Sequence, residues 1–228
     1  MYEAIMENVQ TVLETIERIR PGDGVKLMAV TKTRSREEAM AAWKAGAHWI
    51  GENKVQEALA KYPTRPEAPL HMIGHLQTNK VKYAIDLFDS IDSVDSERVA
   101  QFLDRRLNRP MPVMLEVNAG KEPSKAGLFV EAVLPFLTHA ERWKNLQFVG
   151  MMTLLPAVAE RNLQERKKIR HLMKEMGELW RMSQEEGFPW APLDELSMGM
   201  SEDYEWALEA GSTVVRLGTV LFGPRGQT

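Results

Sequence analysis

Lys32 closes the stretch VKLMAVT (25–31), whose apolar run LMAV reads as a buried strand. A lysine at that strand end would stand over an apolar floor. Burial disfavours the ammonium and lowers its pKa, leaving a neutral amine that can attack a carbonyl and form a Schiff base. For an isolated lysine, a solvated place in a βα loop is the commoner outcome. A second group of residues lies near the C-terminus. SMGMS (197–201) sets Ser197 and Ser201 around Gly199, and GSTVVRLGT (211–219) ends on Arg216, Gly218 and Thr219. Glycine lets an oxyanion approach backbone N–H groups, and serine or threonine adds hydroxyl donors. Tight packing explains a lone glycine at a strand end; two such clusters together favour a phosphate. Arg216 shares the phase of Val214 within TVVRLGT, so both face the interior. A buried arginine needs a partner. That partner is either a core acid such as Glu116 or a ligand's ring nitrogen or phosphate.

Asn53 and His75 complete the candidates. Asn53 follows HWIGE and can either face a ligand or cap the next helix. His75 ends LHMIGH, where a histidine is more often a hydrogen-bonded structural residue than a catalyst. The five histidines are dispersed, with no HxH or HExxH spacing, so no metal is expected. The chain has no cysteine, which excludes disulfides, thiol catalysis, Cys-ligated zinc and iron–sulfur clusters.

These residues share a position in the pattern of elements. A charged helical segment, Tyr2 to Arg20, has apolar residues at Ile5, Val9, Val12, Leu13, Ile16 and Ile19 and is stopped by Pro21-Gly22-Asp23-Gly24. Short β-rich runs then alternate with helical runs. The strands read as 25–31, 48–53, 70–75, 88–95, 111–118, 146–154, 194–200 and 213–219. The intervening helices run through Glu37 to Ala45, to about Lys61, across Lys80–Leu87, to Leu107, over LFVEAVLPFLTHAERW, from Glu160 to Glu186 and from Asp203 to Glu209. Eight strands separated by helices in about 200 residues fit one α/β domain over 1–228, a (β/α)8 TIM-type barrel with an extra N-terminal helix. An open doubly wound sheet is the alternative, although such sheets usually carry fewer strands. In a barrel the site sits at the C-terminal ends of the strands, and phosphate often binds after strands seven and eight. Lys32, Asn53, His75, Ser197, Ser201, Arg216, Gly218 and Thr219 all fall at such ends. The set is polar, basic and short of carboxylates, which suits an anionic ligand better than glycoside hydrolysis or a hard metal.

Composition narrows the class. A net charge of −3 gives no basic field for nucleic acid, and the run Arg166, Lys167, Lys168, Arg170 reads as the wet face of a helix. The N-terminus has no apolar core of signal-peptide type, and no stretch approaches the roughly 18 apolar residues needed to span a bilayer. A cytoplasmic protein without membrane contact is expected.

The segments AVTKT (29–33), GENKVQE (51–57), HMIGHLQTNK (71–80), SVDS (93–96), EVNAGKEPSKAG (116–127), GMMT (150–153) and LSMGMSEDYEWALEAGSTVVRLGTVLFG (196–223) occur in this order. Together they closely resemble the pyridoxal phosphate homeostasis protein family. The resemblance implies the alanine racemase N-terminal barrel, the third fold type among pyridoxal phosphate proteins. It implies pyridoxal 5′-phosphate as cofactor, with Lys32 forming the internal aldimine. It further implies Arg216 facing the pyridine nitrogen, Ser201, Gly218 and Thr219 cradling the phosphate with Ser197 nearby, and Asn53 and His75 lining the cofactor. Lys125 matches a lysine typical of the family, with no role in the aldimine. Asp92 departs from the pattern, where histidine is expected before SVDS; it lies outside the matched cofactor positions.

An arginine rather than a carboxylate at the pyridine nitrogen makes the ring a weaker electron sink. It still permits racemisation in the related racemases, which have a second, β-rich domain and a tyrosine from the partner subunit. The sequence here stops about five residues after LFG and holds no such domain. The resemblance accordingly implies a non-catalytic carrier that binds pyridoxal phosphate, and other B6 vitamers, and passes the cofactor on, with apo-enzymes as transient partners. A monomer is expected. An amino-acid racemase is the alternative. Lysine plus a phosphate cradle also suits a barrel aldolase acting on a sugar phosphate.

Overall fold

A computed structural model of the chain describes residues 2–123, 125–156 and 162–224. Eight parallel strands close into a barrel in chain order: β1 (Lys26–Val30), β2 (Trp49–Glu52), β3 (Leu70–Met72), β4 (Ser90–Val94), β5 (Met111–Val117), β6 (Leu146–Thr153), β7 (Glu195–Ser197) and β8 (Val214–Leu217). Met28 is paired with Trp49 of β2 on one side and Arg216 of β8 on the other, and this pairing closes the sheet and rules out the open alternative.

The helices follow the strands as expected. α1 (Tyr2–Ile19) precedes the barrel and buries Ile5, Val9, Val12 and Ile16. α2 (Arg36–Lys44) starts at Ser35 with a capping box to Glu38. α3 (Val55–Lys61), α4 (Val81–Leu87), α5 (Glu97–Asp104) and α6 (Val130–His139) come next. α7 (Leu163–Glu186) is capped by Asn162; the expected start at Glu160 lies outside the described residues. α8 (Tyr204–Glu209) leads into β8. A short helix that the pattern did not suggest, α9 (Thr219–Phe222), follows it.

Two large apolar clusters fill the space between sheet and helices. A third, Met28, Ile73, Met114, Met152 and Val214, fills the inside of the barrel. Several strands end earlier than the apolar runs suggest. β3 stops at Met72 because the chain must pass Asn53 closely: a Cβ on Gly74 would lie 2.1 Å from the Asn53 carbonyl oxygen. That approach seats the ends of β2 and β3 against each other.

Below the apolar layer the interior is polar. Lys26 pairs with Glu195 and lies 4.8 Å over the Trp49 ring. Trp49 stacks on His71, whose Nδ1 lies 2.9 Å from Asp92 Oδ2. These residues alternate with outward-facing apolar ones along β1 to β4, as the pleat requires.

Candidate functional site

A cavity of about 280 Å3 opens at the C-terminal mouth of the barrel. Lys32, Asn53, Ser201, Arg216, Gly218 and Thr219 line it, together with Arg34, Glu202, Asp203 and the apolar Val30, Ile73, Leu154 and Met200. Six of the eight residues singled out from the sequence thus share one space. Lys32 sits one residue past Thr31, at the turn that leaves β1, and the half-buried side chain reaches the cavity.

The other two are placed differently. Ser197 is fully buried inside the barrel and accepts a hydrogen bond from Arg216 Nη1 at 2.7 Å. It supports the arginine from beneath and does not line the cavity. His75 is 61% exposed, with Nδ1 3.0 Å from Asp95 Oδ2. It lines a neighbouring cavity of about 560 Å3 shared with Asn79, Asp95 and Arg98. β3 ends before Gly74, and the turn there carries His75 outward.

Arg216 points inward, as its phase with Val214 requires. Its Nη2 donates to the Thr153 carbonyl at 2.7 Å, so the hydrogen bonds seen for this guanidinium go to neutral oxygens rather than to Glu116. Burial pulls its pKa down to about 10, opposed by the charges of Asp92, Asp203 and Glu116. It stays protonated at neutral pH. Glu116 is pushed up to about 7 by burial and by Asp95, against the pull of Arg216 and His75. Asp92, the departure noted in the sequence, is fully buried between His71 and Ser90 and is the foremost of the charges that support Arg216.

The loops after β7 and β8 meet at Ser201. Its Oγ accepts the N–H groups of Gly218 and Val220 at 3.3 and 3.2 Å. Two backbone donors therefore converge on one point at the start of α9, where the acceptor is a neutral hydroxyl. A phosphate oxygen is a stronger acceptor for the same donors. The two glycines of this region differ. Gly199 has φ of +94°, and a Cβ there would lie 2.6 Å from Ala207 Cβ, so packing and backbone conformation account for it. Gly218 has neither constraint: its nearest neighbour to an added Cβ is Val30 O at 3.4 Å. Its missing side chain leaves room on the cavity wall.

One further atom points to a ligand. Asn53 Oδ1 is buried and has no hydrogen-bond partner, although Asn53 lines the cavity. Buried polar atoms are rarely left so, and a bound molecule would satisfy it. Asn53 does not cap α3, whose N-cap is Lys54.

Sequence reasoning missed Arg34, whose Nη2 donates to Gly223 O at 2.6 Å and ties the first βα turn to the end of α9. It also missed Asp203, read only as a helix start. Asp203 accepts the Met200 N–H at 2.6 Å, and burial raises its pKa. Its place two residues after Ser201 was the available signal. Lys125 Nζ donates to the carbonyl of Leu154, a cavity residue, and pairs with Glu122. Among the described residues no cluster of His, Asp or Glu is placed to hold a metal, and no helix is long and apolar enough to cross a membrane.

The family model of the alanine racemase N-terminal domain matches residues 2–226. The pyridoxal phosphate homeostasis protein of Aquifex aeolicus is 36% identical over 229 residues, covering 96% of this chain and 97% of the relative. That of Pasteurella multocida is 32% identical over 228 residues, covering 97% and 94%. Among solved structures, PipY of Synechococcus elongatus with PLP bound matches with a TM-score of 0.80 at 32% identity, covering 96% of this chain and 100% of that one. An alanine racemase from E. faecalis matches with a TM-score of 0.75 at 19% identity, covering 99% of this chain and 59% of that one, a likeness of fold.

Proposed function

The chain belongs to the pyridoxal phosphate homeostasis protein family, built on the alanine racemase N-terminal fold, and we propose that it holds pyridoxal 5′-phosphate as a Schiff base on Lys32 without turning over a substrate. The observation that carries this reading is the single cavity in which Lys32 meets Arg216 and Ser201, on whose Oγ the N–H groups of Gly218 and Val220 converge. When bound, the cofactor supplies an aldehyde carbon open to a primary amine and a ring that can accept electrons.

The residues divide the work. Lys32 offers the amine. Ser201 and Thr219, with the N–H groups of Gly218 and Val220, suit the phosphate. Arg216, fixed by Ser197 and Thr153, offers a cation at the cavity floor. Asn53 offers its unpartnered carbonyl. Val30, Ile73 and Leu154 give the cavity an apolar side. Ser197 acts through Arg216, and His75 takes no part in this arrangement.

A holding role is supported by the same geometry. The cation at the floor is an arginine, which does not protonate a ring nitrogen as a carboxylic acid does. Of the two acids lining the cavity, Glu202 and Asp203, Asp203 is engaged in accepting the Met200 N–H. We further place the protein in the cytoplasm as a monomer that binds pyridoxal phosphate and related B6 vitamers and meets apo-enzymes transiently.

Addition of pyridoxal phosphate to the purified protein should produce a visible absorption band, bleached by borohydride and absent from Lys32→Ala. A colourless mixture would favour a sugar-phosphate aldolase and sink this reading. Conversion of an L-amino acid to its D-form, lost on Lys32→Ala, would overturn the non-catalytic part alone.

A further inference from the structure

Lys32 stands in a turn that is gripped on both sides from behind, by groups that do not face the cavity. On the preceding side, Thr31 is fully buried, and its Oγ1 donates to Glu52 Oε1 at 2.6 Å. The Thr31 carbonyl accepts from Lys61 Nζ at 2.6 Å. Lys61 Nζ also lies 2.7 Å from Glu52 Oε1 and 3.7 Å from Glu57 Oε1. On the following side, the Thr33 N–H donates to Glu57 Oε1 at 2.5 Å. Thr33 has φ of +65°, a left-handed conformation that a β-branched residue adopts only under outside constraint. The Arg34 N–H closes the turn onto the Thr31 carbonyl at 3.0 Å.

The grip is costly in itself. Glu52 has no solvent exposure and the Lys61 side chain is only 7% exposed. Burial pushes the Glu52 carboxyl upward in pKa, and the hydrogen bonds from Lys61 and Thr31 pull it back. A buried ion pair is a poor source of stability, and its best use is to fix one geometry among several. The geometry fixed here is that of the two residues flanking Lys32.

We propose that Glu52, Glu57 and Lys61 form a clamp that presets the turn carrying Lys32, and so are positioning residues for its reaction with an aldehyde. The inference rests on the reading that Lys32 forms a Schiff base. In that step the Lys32 nitrogen bonds to the aldehyde carbon, the carbonyl oxygen leaves as one water with the two amine hydrogens, and a C=N bond results. A preset turn raises the fraction of time for which the amine stands over the carbon. It does nothing for the phosphate, which β7 and β8 hold.

The clamp is tested with the full-length protein and two ligands. Pyridoxal 5′-phosphate reports reaction at Lys32, as the rate at which a borohydride-reducible adduct forms. Pyridoxine 5′-phosphate, an alcohol in place of the aldehyde, reports the rest of the cavity as a dissociation constant. Glu57→Ala and Thr31→Val should each slow adduct formation about tenfold, the loss of one charge-assisted hydrogen bond, while pyridoxine 5′-phosphate affinity stays within about twofold. Glu57→Gln keeps an acceptor oxygen for the Thr33 N–H and should restore the rate. Wild-type rates in both Glu57→Ala and Thr31→Val would overturn the clamp. So would an equal loss of both ligands, which would mark general damage to the fold. Absence of any adduct in the wild-type protein would overturn the Schiff-base reading, and the clamp with it.

Discussion

Arg216 is a cation taken fully out of water, and its surroundings show how that is tolerated. Two neutral oxygens bind it at 2.7 Å, and three acids, Asp92, Asp203 and Glu116, act on it as charges. If Arg216 bonds the cofactor as proposed, Arg216→Ala should weaken pyridoxal phosphate retention by about 1.5–3 kcal/mol, and Thr219→Ala should weaken it in the same direction. Unchanged affinity in both, measured by titration, would contradict the proposed placing of both residues against the cofactor. Glu116 yields a prediction on pH. Its folded pKa of about 7 lies above the ordinary 4.5, so the folded state holds this proton more tightly than the unfolded chain. That contribution to stability is fully present below about pH 4.5 and is lost as pH rises through about 7. Glu116→Gln should therefore flatten the fall in stability between about pH 5 and 8, a difference on the order of 1–3 kcal/mol. Denaturation midpoints that fall equally in both proteins would contradict it. At this scale the sequence was partly legible. The inward phase of Arg216 followed from Val214 two residues before it. Its partners did not follow, because Ser197 and Thr153 are brought to it by strands β7 and β6, distant in the chain. Asp92 looked remote from the site for the same reason: only the barrel's curvature turns it towards Arg216.

The segment from β7 to α9 supplies Ser201, Gly218 and Thr219, the residues proposed to hold the phosphate. Two of its glycines, Gly199 and Gly218, looked alike in the sequence, each within two residues of a serine or threonine. The fold separates them by backbone angle and by neighbours. Gly199→Ala should lower the melting temperature, because it forces a left-handed angle on alanine and sets its Cβ against Ala207. Gly218→Ala should leave the melting temperature near that of the parent and weaken pyridoxal phosphate binding instead. The reverse pattern, read by thermal scans and titration, would return Gly218 to a packing role. α9 escaped sequence reading because four residues carry too little periodicity to register, and its apolar Val220 to Phe222 continue the run of β8. Strand ends were the least legible boundary throughout. The apolar runs 70–75 and 194–200 continue past the paired residues, since an apolar side chain beyond a strand end can still pack on the mouth of the barrel. His75 was carried out of the site by that difference.

For the whole molecule, the repeated alternation of short β runs and helices made the barrel legible in advance. Each apolar run is short enough to be a strand and is followed by a capped or amphipathic helix, as at Ser35 and Asn162. Strand count favoured closure over an open sheet, but the pairing that makes it, between the first strand and the last, is 188 residues apart from Met28 to Arg216 and had no local signal. Closure matters for function because it sets Lys32, at the end of β1, beside Gly218 and Thr219, which follow β8. The two halves of the site are neighbours across the seam of the barrel. The proposed clamp on Lys32 lies outside that seam, between β1, β2 and α3, so under the proposed function the amine and the phosphate would be held by separate parts of one scaffold.

The seam is proposed to hold pyridoxal phosphate on one particular amine. Borohydride reduction of the protein loaded with pyridoxal 5′-phosphate, followed by proteolysis and mass spectrometry, measures it directly. One pyridoxyl group on the peptide containing Lys32, absent from Lys32→Ala, is the result expected. An unmodified Lys32 peptide, whether the label is missing or sits on another lysine such as Lys125, would contradict a Schiff base at Lys32.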